Sequence, residues 1–402
     1  MRCLTLAEAL RDTGAAVQFF CRQLPGNLIA LLKQRSFYVT ELPVPAQSAG
    51  FSDSDGYAAW LGVSQREDAD QVIALLHGTK PNWLVVDHYG LDIEWESRLA
   101  PYCDAIMVID DIANRSHSCQ LLLDQNFASE VRYSSLVPRN CTMLLGPNFA
   151  LLGPQYAAYR SRQAERRGAI KRVLVYFGGS DTYNISDRAM QALSFAPLQH
   201  LFVDLVIGPN NSHQANLRET YASRPFTRIY ETQVHLAELM AQADLAIGAG
   251  GATTWERMCL GLPSLVVTCA ANQVPLASSL HQDNLIWLIG DAISVTVADL
   301  FDAVLSQISG QKQDRVATLT RKVCDGGGTL RVVRALENAR VSLNPSLRPG
   351  HRRGGTGCAA ASGSSRRRLR AGAGADRRAR SRARSTGRTR RPTRGARPRR
   401  RA

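Results

Sequence analysis

The sequence predicts an α/β protein of two doubly wound, Rossmann-like domains with a cleft between them, followed by a disordered Arg-rich tail. Three observations predict it. From Leu4 to about Glu337, short continuous apolar runs alternate with amphipathic helical stretches, the pattern of parallel strands covered on both faces. About 340 residues of this pattern are too many for one sheet. A polar stretch at 159–169, with Arg160, Arg162, Glu165, Arg166 and Arg167, divides it into halves of roughly 1–158 and 169–338. Polar and glycine-rich residues follow the strands, where folds of this class bind ligands.

Taken in order, residues 1–8 read as an amphipathic helix with an early acid, and not as a leader. In the first half, 15–21, 83–87 and 105–110 read as buried strands, with helical spacing at 69–77 and 93–102. In the second half, 172–177, 201–207, 245–248 and 264–268 read as strands. Helical spacing there covers 185–193, 235–243, 254–260 and 276–288. No apolar run approaches the ~20 residues that cross a bilayer, so no membrane partner is expected.

The 402 residues carry 49 Lys and Arg against 34 Asp and Glu, a formal charge of +15. Taken whole, that charge suggests nucleic acid or an anionic surface. Its distribution removes the suggestion: residues 341–402 hold 20 Arg, no Lys and the single acid Asp376, leaving a mildly acidic body. The tail has almost nothing to bury and is expected to be disordered. Its composition is that of GC-rich DNA translated out of frame, which this reading prefers to inert disorder or an arm for nucleic-acid phosphates. The nine cysteines form no CxxC pair and several lie in apolar segments, which fits reduced thiols in a cytoplasmic protein.

The strongest local signal is 248–256, Gly-Ala-Gly-Gly-Ala-Thr-Thr-Trp-Glu. A strand, a glycine-rich turn and a helix start aim backbone N–H groups and the positive helix end at an anion. Gly250 and Gly251 let a phosphate approach the backbone, with Ala252 at the turn. Thr253 and Thr254 add hydroxyls, and Glu256 could accept both hydroxyls of a ribose. The loop lacks the Gly-Lys-Ser/Thr of a Walker A motif. Gly178, Gly179 and Ser180, with Asp181, form a second turn facing a phosphate or a nucleoside. Asn272 and Gln273 offer amides after a strand. Asp110 and Asp111 suit a metal in principle, or helix caps and partners for arginines such as Arg115. His88 reads as a structural histidine or a general base.

Together these motifs carry a resemblance: 248–257, Asp-His-Tyr-Gly-Leu-Asp (87–92), Val-Ile-Asp-Asp-Ile-Ala (108–113), Phe-Gly-Gly-Ser-Asp (177–181), Ala-Asn-Gln (271–273) and Asp-Gly-Gly-Gly (325–328). Over about 1–338 the chain resembles the UDP-2,4-diacetamido-2,4,6-trideoxy-β-L-altropyranose hydrolases of pseudaminic acid biosynthesis. The resemblance implies a GT-B fold related to MurG, with water attacking the anomeric carbon of a UDP-sugar and releasing UDP without metal or other cofactor. It implies that Gly250, Gly251, Thr253 and Glu256 hold the diphosphate and ribose, and that Tyr89 and Asn272 face the sugar.

The family opens with a strand and a Gly-His loop, then a helix like the one at 1–8. The resemblance therefore places the expected catalytic histidine before Met1, and no residue here takes its role. A doubly wound domain begins with a strand near the middle of its sheet, and buried backbone groups left unpaired cost about 1–3 kcal/mol each. The expectation is a first half that folds poorly and a chain without hydrolase activity. The alternatives are a GT-B glycosyltransferase using a UDP-sugar, and a non-catalytic nucleotide-sugar binder.

Overall fold

The computed structural model describes residues 1–45, 53–127, 129–163, 166, 168–231, 236–310 and 313–343. The tail beyond Leu343, Glu165, Arg167 and the helix start expected at His235 lie outside these residues.

Among the described residues, mostly aliphatic runs form twelve strands. Those of the first half are β1 (Gln18–Arg22), β2 (Tyr38–Leu42), β3 (Trp83–Val86), β4 (Ala105–Ile109), β5 (Leu121–Asp124) and β6 (Thr142–Leu145). Those of the second half are β7 (Arg172–Tyr176), β8 (Phe202–Ile207), β9 (Thr227–Glu231), β10 (Leu245–Ala249), β11 (Ser264–Thr268) and β12 (Trp287–Asp291).

The second half is one parallel sheet in the order β12-β11-β10-β7-β8-β9. The chain starts in the middle at β7, winds outward through β8 and β9, then returns to β10 on the other side of β7. Residues alternate between the two faces along each strand. Val173, Val175, Ile247 and Leu265 point to one core, shared with Ile185, Met190 and Leu300. Leu174, Ala246 and Val266 point to the other, shared with Trp255, Met258 and Leu280.

The first half holds two parallel sheets, β3-β4-β5-β6 and β1-β2. The described strands of the two sheets do not pair with each other, so β1 and β3 each have one edge unpaired by a described strand. The helix Arg2–Asp12 joins them by side chains. Leu6 packs with Met107, Ile109, Leu121 and Leu123, and Leu4 and Ala7 pack with Leu32 and Phe37 beside β1-β2.

β2, β5, β6 and β9 lie in stretches to which the sequence reading gives no element, and two assigned stretches turn out differently. The stretch 276–288, read as one helix, is the helix Val274–Gln282 followed by β12. Asn284 takes a left-handed φ of 58° and turns the chain onto the edge of β11. The last helix, Gly328–Leu343, was grouped with the second half. Its Val332, Val333 and Leu336 instead pack with Leu6, Met107 and Leu121 of the first. Gly328 permits this crossing, because a Cβ there would stand 2.3 Å from the Ala150 carbonyl oxygen.

No helix among the described residues is long and apolar enough to cross a membrane. The eight described cysteines are free thiols.

Candidate functional site

In the second half the strand order reverses between β7 and β10, which are neighbours in the sheet. Loops at the carboxyl ends of two such strands diverge and leave a crevice. The loops there are 178–181 and 250–253, the two glycine-rich turns singled out in the sequence.

The loop after β10 is held from below by Arg257. This arginine is buried, and burial lowers it to about 10. Its guanidinium donates to the Ala249 carbonyl (2.8 Å), to Thr254 Oγ1 (3.1 Å) and to Thr253 Oγ1 (3.3 Å). Both threonine oxygens therefore act as acceptors toward Arg257, and their protons stay available to donate. Gly248 is required by this packing, since a Cβ would lie 2.6 Å from the Tyr176 carbonyl oxygen and 2.8 Å from Arg257 Nη1. In the helix Thr253–Cys259 the N–H of Thr254 bonds Gly251 O at 2.9 Å. The amides just before it have no carbonyl one turn back. Gly250 is buried, whereas Gly251 and Thr253 are half-buried and Ala252 is exposed.

Gln273 closes this loop from the next strand. Its Oε1 accepts from the Cys269 amide at 2.9 Å. The same side chain lies 3.4 and 3.8 Å from the positions where Gly250 and Gly251 would carry a Cβ. Asn272, beside it, reaches the first half, where its Nδ2 donates to Tyr89 Oη at 3.4 Å. Through Asn272 and Gln273 the loop after β11 thus touches Tyr89 of the first half and the glycine-rich turn of the second.

Glu256 sits one turn into the helix. Burial raises its carboxyl to about 7, against the opposing pull of Tyr156 and Arg257. Tyr156 hydrogen-bonds the carboxyl. Oε2 is sealed from solvent without a partner.

The other turn is built differently. Gly178 needs its φ of +84°. The Asn210 amide donates to Gly179 O at 2.9 Å, tying this turn to the loop after β8. Gly179 and Ser180 are exposed. Behind them, Asp181 accepts from the amides of Ile185 and Ser186, both at 2.9 Å. That carboxylate already caps the helix Ile185–Ser194, so Gly178, Gly179 and Ser180 offer backbone and hydroxyl contacts without a free helix end behind them.

On the facing half, Arg2 donates to Asp87 Oδ1 (2.7 Å) and Asp111 Oδ2 (2.9 Å), and Tyr89 Oη donates to Asp111 Oδ1 (2.6 Å). Burial works to raise Asp87, but Arg2 overrides it and holds the carboxyl below its usual range. Burial and the Asp111 charge raise the Tyr89 hydroxyl, so it remains a neutral donor. Burial lowers His88, whose Nδ1 accepts from the Gly90 amide at 3.0 Å and whose ring also bonds the Trp60 backbone. His88 is structural in this arrangement.

The Asp110-Asp111 pair is split. Asp110 is buried and accepts from Arg115 Nη1 (2.8 Å), the Ala113 amide (2.8 Å) and Tyr133 Oη (3.1 Å). Among the described residues no group of three or more His, Cys, Asp or Glu is placed to hold a metal ion.

Comparison with known proteins bears on the fold. Residues 173–314, which begin within β7 and contain both turns, match the glycosyltransferase family 28 C-terminal domain. The solved structure of MurG from Acinetobacter baumannii is similar with a TM-score of 0.55, at 14% identity, over 84% of this chain and 95% of that one. The fold is GT-B.

Two distant relatives are found by sequence. The spore coat polysaccharide biosynthesis protein SpsG of Bacillus subtilis is 24% identical over 276 residues, 66% of this chain and 79% of that protein. The UDP-2,4-diacetamido-2,4,6-trideoxy-β-L-altropyranose hydrolase of Campylobacter jejuni is 22% identical over 278 residues, 69% and 88% of the two chains.

Sequence reasoning left Arg2, Arg257, Tyr156 and Asn126 without roles. Asn126 Oδ1 accepts from Trp255 Nε1 at 3.2 Å, joining the end of β5 to the helix Thr253–Cys259. Arg257 alone had a local signal, as an arginine one turn after paired threonines. The others are brought in by tertiary contacts.

Proposed function

We propose that this chain binds a UDP-sugar in the GT-B cleft. The diphosphate lies against Gly250, Gly251, Ala252 and Thr253, the ribose on Glu256, and the nucleoside beside Gly178, Gly179 and Ser180. The sugar reaches Tyr89, Asn272 and Gln273. The observation that carries this reading is the placement of both glycine-rich turns at the strand-order reversal, with Gln273 against one of them. The unpartnered Glu256 Oε2 supports it, since a ribose hydroxyl would supply the missing donor.

The reaction we favour is hydrolysis of the sugar–phosphate bond, giving UDP and a free acetamido-deoxy sugar. The similarity to the Campylobacter hydrolase and the motif resemblance support it. Transfer of the sugar to an acceptor is the second reading, supported by the family 28 match to residues 173–314. Neither reading assigns a catalytic base to a residue named here. Arg2 bridges Asp87 and Asp111, Tyr89 donates directly to Asp111, and His88 has its ring engaged.

Calorimetric titration with UDP tests the binding. Saturable 1:1 binding that weakens when Gly251 is replaced by a bulky residue is expected, and no binding to the intact chain would overturn the proposal. Whether UDP release from a UDP-sugar needs an added acceptor separates hydrolysis from transfer.

A further inference from the structure

Tyr89 is one of three aromatic rings in mutual contact on its side of the cleft. Tyr57 and Trp60, in the short helical segment Asp53–Leu61, have ring centroids 5.0 and 6.0 Å from that of Tyr89, and 5.0 Å from each other. Tyr57 is half-buried, while Trp60 is 57% exposed. An indole left that open beside a polar surface gives up much of the burial free energy available to so large a side chain.

The segment is also fixed in place. The His88 ring bonds the Trp60 backbone. Gly90 lies so close beneath Tyr57 that a Cβ would stand 2.7 Å from the Tyr57 carbonyl oxygen. The residues flanking Tyr89 thus anchor two further rings beside it. An aromatic pair held by backbone contacts, with its indole more than half exposed, is a preorganised surface for an apolar ligand group.

On the UDP-sugar reading, on which this inference rests, the group nearest Tyr89 is the sugar. A pyranose with acetamido and deoxy positions offers C–H faces and methyl groups, which fit an indole and a phenol. A fully hydroxylated sugar offers fewer, and UDP without its sugar does not reach this far. We propose that Trp60 and Tyr57 form a platform that selects sugars with apolar substituents, acetamido methyl groups above all, while leaving the affinity for UDP itself unchanged.

The test uses the full chain, its Trp60→Ala and Trp60→Phe variants, and calorimetric titration with UDP and with UDP-N-acetylglucosamine. The expected result is equal UDP affinity in all three proteins. Affinity for UDP-N-acetylglucosamine falls about tenfold in Trp60→Ala, the scale of one aromatic contact, and is mostly retained in Trp60→Phe. Equal losses for both ligands, or no loss for the sugar nucleotide, would overturn the platform and leave the UDP site standing. An intact chain that binds UDP-N-acetylglucosamine no better than UDP would do the same. No UDP binding by the intact chain would remove the nucleotide reading and this inference with it.

Discussion

Replacing Glu256 with glutamine probes the stranded carboxylate. Burial raises this group from 4.5 to about 7, which corresponds to about 3 kcal/mol at about 1.36 kcal/mol per pKa unit. The folded chain therefore keeps a proton that the unfolded chain releases between those two values. Stability falls as pH rises through that window and stays lowered above it. Glutamine preserves the shape, accepts from Tyr156 and has no charge to desolvate. At pH 8.5, Glu256→Gln is expected to unfold at higher urea than the parent chain, by up to about 3 kcal/mol, and the gain should fade toward pH 4.5. The same variant should bind UDP at least about tenfold more weakly, because a neutral amide is a poorer acceptor for two ribose hydroxyls. Urea titrations followed by circular dichroism at pH 5, 7 and 8.5, with UDP calorimetry, read both effects. Loss of stability at pH 8.5 would show that the carboxylate is paired in the folded chain, and unchanged UDP affinity would take it out of the nucleotide site.

Gly248→Ala should cost about 1–3 kcal/mol in urea unfolding through overpacking, because the new methyl meets the Tyr176 carbonyl at 2.6 Å. Gly179→Ala is the control, with nothing within 4 Å of its Cβ position. Asp181→Ala should cost about 1–2 kcal/mol by removing the cap from the amides of Ile185 and Ser186, and a change within error would place the helix start under other control.

Much of the fold was legible because burial on both faces leaves a continuous apolar run, and β4, β7, β10 and β11 are such runs. The unread strands lack that signature. β9, Thr-Arg-Ile-Tyr-Glu, is an edge strand with exposed and half-buried residues. β5 has only three leucines before Asp124 and is too short to show a period. β12 was absorbed into the preceding helix because Leu285, Ile286 and Leu288 continue its apolar spacing, and only the backbone turn at Asn284 separates them. The glycine-rich loop after β10 was legible for a related reason. It works through backbone groups and small residues next in sequence, so its chemistry is local. Arg2 meets Asp87 and Asp111 across 85 and 109 residues, and Tyr57 and Trp60 meet Tyr89 only through the fold, so no spacing rule could find them.

The two sides of the cleft differ in what they can do chemically. The side after β10 presents the amides of its glycine-rich turn and the half-buried Thr253 hydroxyl, with the unpartnered Glu256 Oε2 sealed behind them. The facing side has satisfied its polar groups internally: Arg2 binds two carboxylates, Tyr89 donates to Asp111, and the His88 ring bonds Gly90 and Trp60. A carboxylate held below its usual range by an arginine is a poor proton acceptor for water, and a tyrosine raised by a neighbouring charge is a poor proton donor in acid–base exchange. On the proposed UDP-sugar reading, such groups would orient the sugar by hydrogen bonds and aromatic contact without exchanging protons with it. On this argument, substitutions at Asp111 or Tyr89 should change which sugar is held, and the proton transfer that cleaves its phosphate bond needs a group other than these.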